Sequence, residues 1–189
     1  ANLNIDLAEF SFLINNKTVS VNKGLNQTNG NFPQDLRFVN YSQMYNGILN
    51  YIRNTNMNLV DISASSIYPH DKNNYLHNLV NYNNDKSSFC TNDLPDQWIC
   101  FDFKSHNVIP NFYTIRTFDL RPGVSHLKSW VIEGSNDKNI WTVIDQQYNC
   151  SHLNGPRHVY NFSIDNPNNN SYRYLRIRQT STNWRNRNY

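Results

Sequence analysis

The chain has 189 residues, of which 38% are hydrophobic and 14% aromatic, with a formal charge of +3 at pH 7. That length fits one domain with an appendage, and its core must rest largely on Tyr, Phe and Trp. The charge falls short of a nucleic-acid protein's basic footprint, and no apolar run reaches the length that spans a membrane.

Asparagine is the commonest residue, and only two glutamates occur, Glu9 and Glu133. The asparagines are interleaved with strand-like runs, so they read as loop filler. Residues 7–23 predict a first hairpin. Phe10, Phe12 and Ile14 share a face, Asn15-Asn16 can supply the positive φ of a two-residue turn, and Lys17, Val19 and Val21 form the return strand. Residues 22–37 are polar and carry Gly, Asn and Pro, the composition of a linker. Residues 47–52 are a short apolar run, read here as a strand although such runs also suit a short helix. Residues 68–77 form a loop.

Residues 99–103 alternate, with Ile99, Phe101 and Phe103 on one face. The next strand, within 108–118, turns Tyr113 and Ile115 inward, with Thr114 and Arg116 opposite. A Pro-Gly loop over 120–125 leads into the best-defined stretch, 126–146. There Trp130, Ile132 and Gly134 alternate with Val131, Glu133 and Ser135. Asn136-Asp137-Lys138-Asn139 makes the turn, and Trp141 and Val143 alternate with Thr142 and Ile144 on the return strand. Tyr160, Phe162 and Ile164 mark a further strand, 166–171 a turn, and 172–180 a last strand.

The lettering of the 126–146 hairpin, a strand ending in Glu-Gly-Ser, an Asn-Asp turn and then Trp-Thr, resembles the discoidin, or coagulation factor 5/8 type C, family. Other segments keep the family's order. Residues 58–68 resemble its opening segment of small residues. Residues 79–89 resemble its Leu-Val-Asp-Gly-Asp-x-x-Thr-x-Trp pattern, with Asn81 and Phe89 in place of Asp and Trp. Gln97-Trp98 and the Arg-Tyr-x-Arg-Ile lettering of 172–180 follow. The match covers about residues 45–189. It implies an all-β, galactose-binding-like jelly roll, a β-sandwich, over 38–189, preceded by an N-terminal β-hairpin and linker arm over 1–37. The wording of 47–52 is similar to intracellular discoidin domains that follow BTB-type modules. The family adds a strand after the loop that holds Trp184, whereas this chain stops at Tyr189. The domain is therefore expected to lack its last strand. A partner strand or further native chain is preferred over the hairpin as the cover for that gap.

Cys90, Cys100 and Cys150 cannot all pair internally, and none lies near either end. That favours a reducing compartment, and the expected location is cytoplasmic and cytoskeleton-associated. Motifs of hydrolases, P-loop and dinucleotide proteins and metalloproteases are missing, so no enzyme is expected. The six histidines are scattered and the cysteines lack zinc-knuckle spacing. No cofactor is expected, and calcium is doubtful because neutral Asn81 replaces an acidic ligand. The C-terminal stretch, with Arg173, Arg176, Arg178, Arg185 and Arg187 beside Tyr172, Tyr174 and Trp184, could hold a nucleic acid. An edge or surface strand whose arginines block edge pairing is preferred.

The resemblance also implies a loop pocket. Arg116 resembles the arginine of sugar-binding members. Asn92, Asp93, Arg121, His126 and Trp184 fall on loops expected at the same barrel end. Arg and Asn can hydrogen-bond hydroxyls while an aromatic covers a sugar's apolar face. The competing structural reading pairs Arg116 with an acid such as Asp119 and packs Trp184 against the barrel. Two functions follow. The first is a structural adaptor with protein partners in an intracellular assembly. The alternative is a module that binds a carbohydrate or small polar ligand.

Overall fold

The computed structural model describes residues 6–7, 9–14, 49, 60–69, 75–80 and 88–185. Ten strands are β1 (Asp6–Leu7), β2 (Glu9–Ile14), β3 (Asp61–Ala64), β4 (Phe89–Cys90), β5 (Trp98–Asp102), β6 (Pro110–Arg116), β7 (Trp130–Ser135), β8 (Thr142–Gln147), β9 (Val159–Ser163) and β10 (Tyr174–Gln179). Among the described residues, two short 3-10 turns, Leu76–Val80 and Ser151–Leu153, interrupt the connections. A five-stranded sheet in the order β3-β5-β10-β7-β8 faces a three-stranded sheet in the order β2-β6-β9, and β1 pairs with β4. The fold is an all-β jelly-roll sandwich.

Alternation decides what fills it. From the large sheet Ile99, Phe101, Trp130, Ile132, Leu175 and Ile177 are buried, and from the small sheet Tyr113, Ile115 and Phe162 meet them. Tyr113 stacks on Phe162 with ring centroids 4.9 Å apart, and Trp130 meets Phe162 edge-on at 5.2 Å. Two polar atoms enter this core only because they satisfy one another. Trp130 Nε1 donates to the Tyr113 hydroxyl at 2.9 Å, and that hydroxyl donates to Asp145 at 2.5 Å.

The β7–β8 hairpin forms as its lettering predicts. Asp137 Oδ1 accepts the backbone N–H groups of Asn139 and Ile140, both at 2.8 Å, which closes the turn. The return strand is aimed differently from the simple alternation. A register shift beside Ile132 and Glu133 leaves Val143 exposed, while Asp145 stands opposite Ile132 and reaches Tyr113.

Three expectations are corrected. Residues 9–14 do not stand off as an arm. β2 pairs antiparallel with β6, from Glu9 opposite Arg116 to Leu13 opposite Phe112, and so covers an edge that β6 would otherwise expose. The expected return strand at 17–21 lies outside the described residues. Of the run 47–52, read as a strand, only Leu49 is described, and it is helical and buried. β10 is no edge strand; it lies between β5 and β7 at the centre of the large sheet. Its arginines are there for charge pairing. Arg176 Nε donates to Glu133 Oε2, and Arg178 Nη2 donates to Glu133 Oε1 at 3.0 Å. Arg173 forks onto Asp102 at 2.9 and 3.2 Å. The Arg176 guanidinium also lies 3.8 Å from the centre of the Trp141 ring.

The sulfur chemistry is quiet. All three cysteines are free thiols. Burial pushes the Cys100 thiol up to about 11, so it remains protonated at neutral pH.

Candidate functional site

Strand register defines one end of the sandwich. Ala64 lies opposite Ile99, Arg178 opposite Trp98, Gln179 opposite Trp130, and Trp130 opposite Gln147. The small sheet reaches the same end where Arg116 pairs with Val159. The connections 65–68, 91–97, 117–129, 148–158 and 180–185 therefore cluster there. All six residues singled out from the sequence belong to this end.

Three of the six form a connected group around His126. Its imidazole is 1% exposed, and Nε2 lies 2.9 Å from the Leu120 carbonyl oxygen and 3.2 Å from that of Arg121. Carbonyls only accept, so Nε2 carries the proton. Burial pushes this imidazole below its ordinary pKa, despite the backbone carbonyls that favour the charged form. A neutral His126 thus ties down the Pro-Gly loop from inside. Its backbone oxygen accepts the Trp184 N–H at 3.1 Å. One buried residue thereby bonds the backbone of both Arg121 and Trp184. Its role is to position them, since its own ring is occupied by the loop.

Trp184 is half-buried, with Nε1 shielded from solvent and without a hydrogen-bond partner. The Lys128 ammonium stands 5.0 Å from the centre of its ring. The backbone under Lys128 is fixed, because its carbonyl accepts the Cys150 N–H at 2.8 Å and Thr180 N donates to the neighbouring Ser129 carbonyl at 3.1 Å. Lys128 escaped the sequence reading. Nothing in the 126–130 lettering tells that a tryptophan 56 positions later packs beneath it. Only the return of the 180–185 loop to the 117–129 loop reveals the pair.

Arg121 is exposed, whereas Arg116 is not. Arg116 is 7% exposed, and its Nε and Nη2 atoms are shielded from solvent. Its place at the end of β6 between two partner strands explains that burial. The arginine singled out by the resemblance therefore sits below the surface. Asp119, the acid suggested as its partner, pairs with Arg157 at 2.9 Å.

Asn92 is held by a separate set of bonds. The Asn92 N–H donates to Ser66 Oγ at 2.9 Å, and Ser66 in turn donates to Gln97 Oε1. Ser65 Oγ donates to the same oxygen at 2.9 Å. Gln97 joins this loop to the rest of the end, its carbonyl accepting Gln179 N at 2.9 Å. Asp93 is exposed on this loop. Asn81, on which calcium was judged doubtful, lies outside the described residues.

No protein-family model and no curated protein matches the chain. Solved structures do. One is CpGH89CBM32-5 from Clostridium perfringens, in complex with GalNAc-β-1,3-galactose, at 13% identity and a TM-score of 0.48, covering 65% of this chain and 85% of that one. A second is chitosan-binding module 1 of a chitosanase/glucanase from Paenibacillus sp. IK-5, at 17% identity and a TM-score of 0.44, covering 65% and 83%. A third is the family 32 carbohydrate-binding module of Streptococcus pneumoniae EndoD, at 9% identity and a TM-score of 0.42, covering 69% and 87%. At such distance the likeness carries no ligand and no residue role across to this chain.

Proposed function

We propose that the protein is a carbohydrate-binding module that works by recognition rather than catalysis, through the loop end built on His126. The observation that carries this reading is that the backbones of Trp184 and of the exposed Arg121 are both bonded to one buried histidine, at a loop end where the Lys128 ammonium covers the Trp184 ring. A sugar needs an apolar surface for its C–H face and fixed donors for its hydroxyls. An indole and a guanidinium on short, braced loops offer both at low ordering cost. Asn92 and Asp93, on an adjoining loop of the same end, supply further polar groups for a longer glycan. The adaptor expectation has no comparable group of side chains behind it among the described residues.

Binding to an array of immobilised glycans, followed by calorimetry on the best probe, tests the proposal. Trp184→Ala should weaken binding by at least about tenfold, the loss expected from removing one aromatic platform. Arg121→Ala should weaken it too, while both variants keep the wild-type fold. If no glycan binds the native protein, the carbohydrate reading is wrong and the adaptor reading takes its place.

A further inference from the structure

Charge at the loop end narrows the ligand. Two cations there have no carboxylate partner among the described residues. Lys128 makes its side-chain contact with the Trp184 ring, and Arg121 is exposed. Of the acids at this end, Asp93 is exposed on the 91–97 loop, and two others are paired with arginines. Asp119 is paired with Arg157 at 2.9 Å, and Asp96 with Arg178 at 3.1 Å. The cation over Trp184 also alters what the ring can accept. A neutral sugar stacking on that face must displace an ammonium that the ring's own quadrupole attracts. A sugar bearing a carboxylate or sulfate meets the ammonium directly while its ring contacts the exposed part of the half-buried indole.

Resting on the carbohydrate reading, we infer that the ligand is an anionic glycan. Its carboxylate or sulfate is paired by Lys128 and Arg121, with Trp184 against the sugar ring. Two cations held by loops that His126 and Cys150 tie together recognise a fixed negative group better than scattered surface lysines would. Both are solvent-accessible, so the preference is sensitive to salt.

The test uses three probes with one sugar ring: tri-galactose, tri-galacturonate and 6-sulfated tri-galactose, each titrated calorimetrically at low and at physiological ionic strength. At least one anionic probe should bind about tenfold more tightly than the neutral one, the order that one charge-assisted hydrogen bond supplies. The carboxylate and sulfate arms distinguish the two sources of charge. Lys128→Met should erase most of the preference and Lys128→Arg should keep it. Lys104→Met, a cation paired with Asp61 at the opposite end of the sandwich, should leave it unchanged. Equal or tighter binding of tri-galactose, lost in Trp184→Ala, overturns the anionic inference and leaves the carbohydrate reading standing. An anionic preference that survives Lys128→Met and Arg121→Met also overturns it, because the charge is then read elsewhere. If neither these probes nor any arrayed glycan binds, both readings fall together.

Discussion

The Arg–Glu–Arg cluster on the large sheet offers a sharp test of how the fold is held. Glu133 is 4% exposed, and its carboxylate takes hydrogen bonds from both Arg176 and Arg178. Burial alone would push this carboxyl up. The bonds from Arg178 and Arg176 outweigh it and hold the group below its ordinary value near 4.5. Glu133→Gln keeps the shape and removes the charge. Breaking a fully buried ion pair costs about 3–5 kcal/mol. Here the arginine side chains are 18% and 26% exposed, so water recovers part of the loss. Arg176 also keeps its contact with Trp141. The expected cost is therefore about 2 kcal/mol at pH 7. The pH dependence has a definite sign. A carboxyl whose folded pKa lies below its unfolded value stabilises fully above about pH 4.5, and that stabilisation disappears as pH falls through the folded value. Urea unfolding of wild type and Glu133→Gln at pH 7, 5 and 3 reads both effects. The gap should be nearly constant between pH 7 and 5 and shrink as pH falls below about 4.5. A gap that is absent at pH 7, or as large at pH 3 as at pH 7, refutes the reasoning.

Two other perturbations follow from the same coordinates. Gly134→Ala places a methyl 2.5 Å from Tyr172 Cγ and 2.6 Å from Cδ1, so overpacking should lower stability by about 1–3 kcal/mol, visible as a lower melting temperature. His126, whose folded pKa is depressed by burial, should contribute stability in full above its ordinary value of 6.5, a contribution lost as pH falls through the folded value. Nitrogen-15 NMR at about pH 7.5 should show a neutral imidazole protonated on Nε2; an imidazolium or an Nδ1–H tautomer there would rule out the loop anchor as described.

Much of the fold was legible in the sequence because β-structure writes its faces locally. Period-2 alternation put Ile99, Phe101 and Phe103 on one face and turned Tyr113 and Ile115 inward, and each is buried, whereas both faces of 130–135 are buried. The turn at 136–139 could be placed because Asp137 bonds the backbone of its own turn. The same local signal says nothing about which strand lies alongside. It left β10 read as an edge when it is central, and the 9–14 segment as an arm when it pairs with β6.

The site divides along the same line. Residue chemistry and loop position, both present in the sequence, picked out Arg121, His126 and Trp184. Tertiary structure decided their roles. It buried Arg116 at the end of β6, turned His126 inward as the anchor of a loop, gave Asp119 to Arg157 and set Lys128 over Trp184. Those outcomes depend on contacts between segments far apart in the chain. Face and turn follow from neighbours a few residues away, whereas burial and partnership are fixed only once the sheets pack and their loops converge.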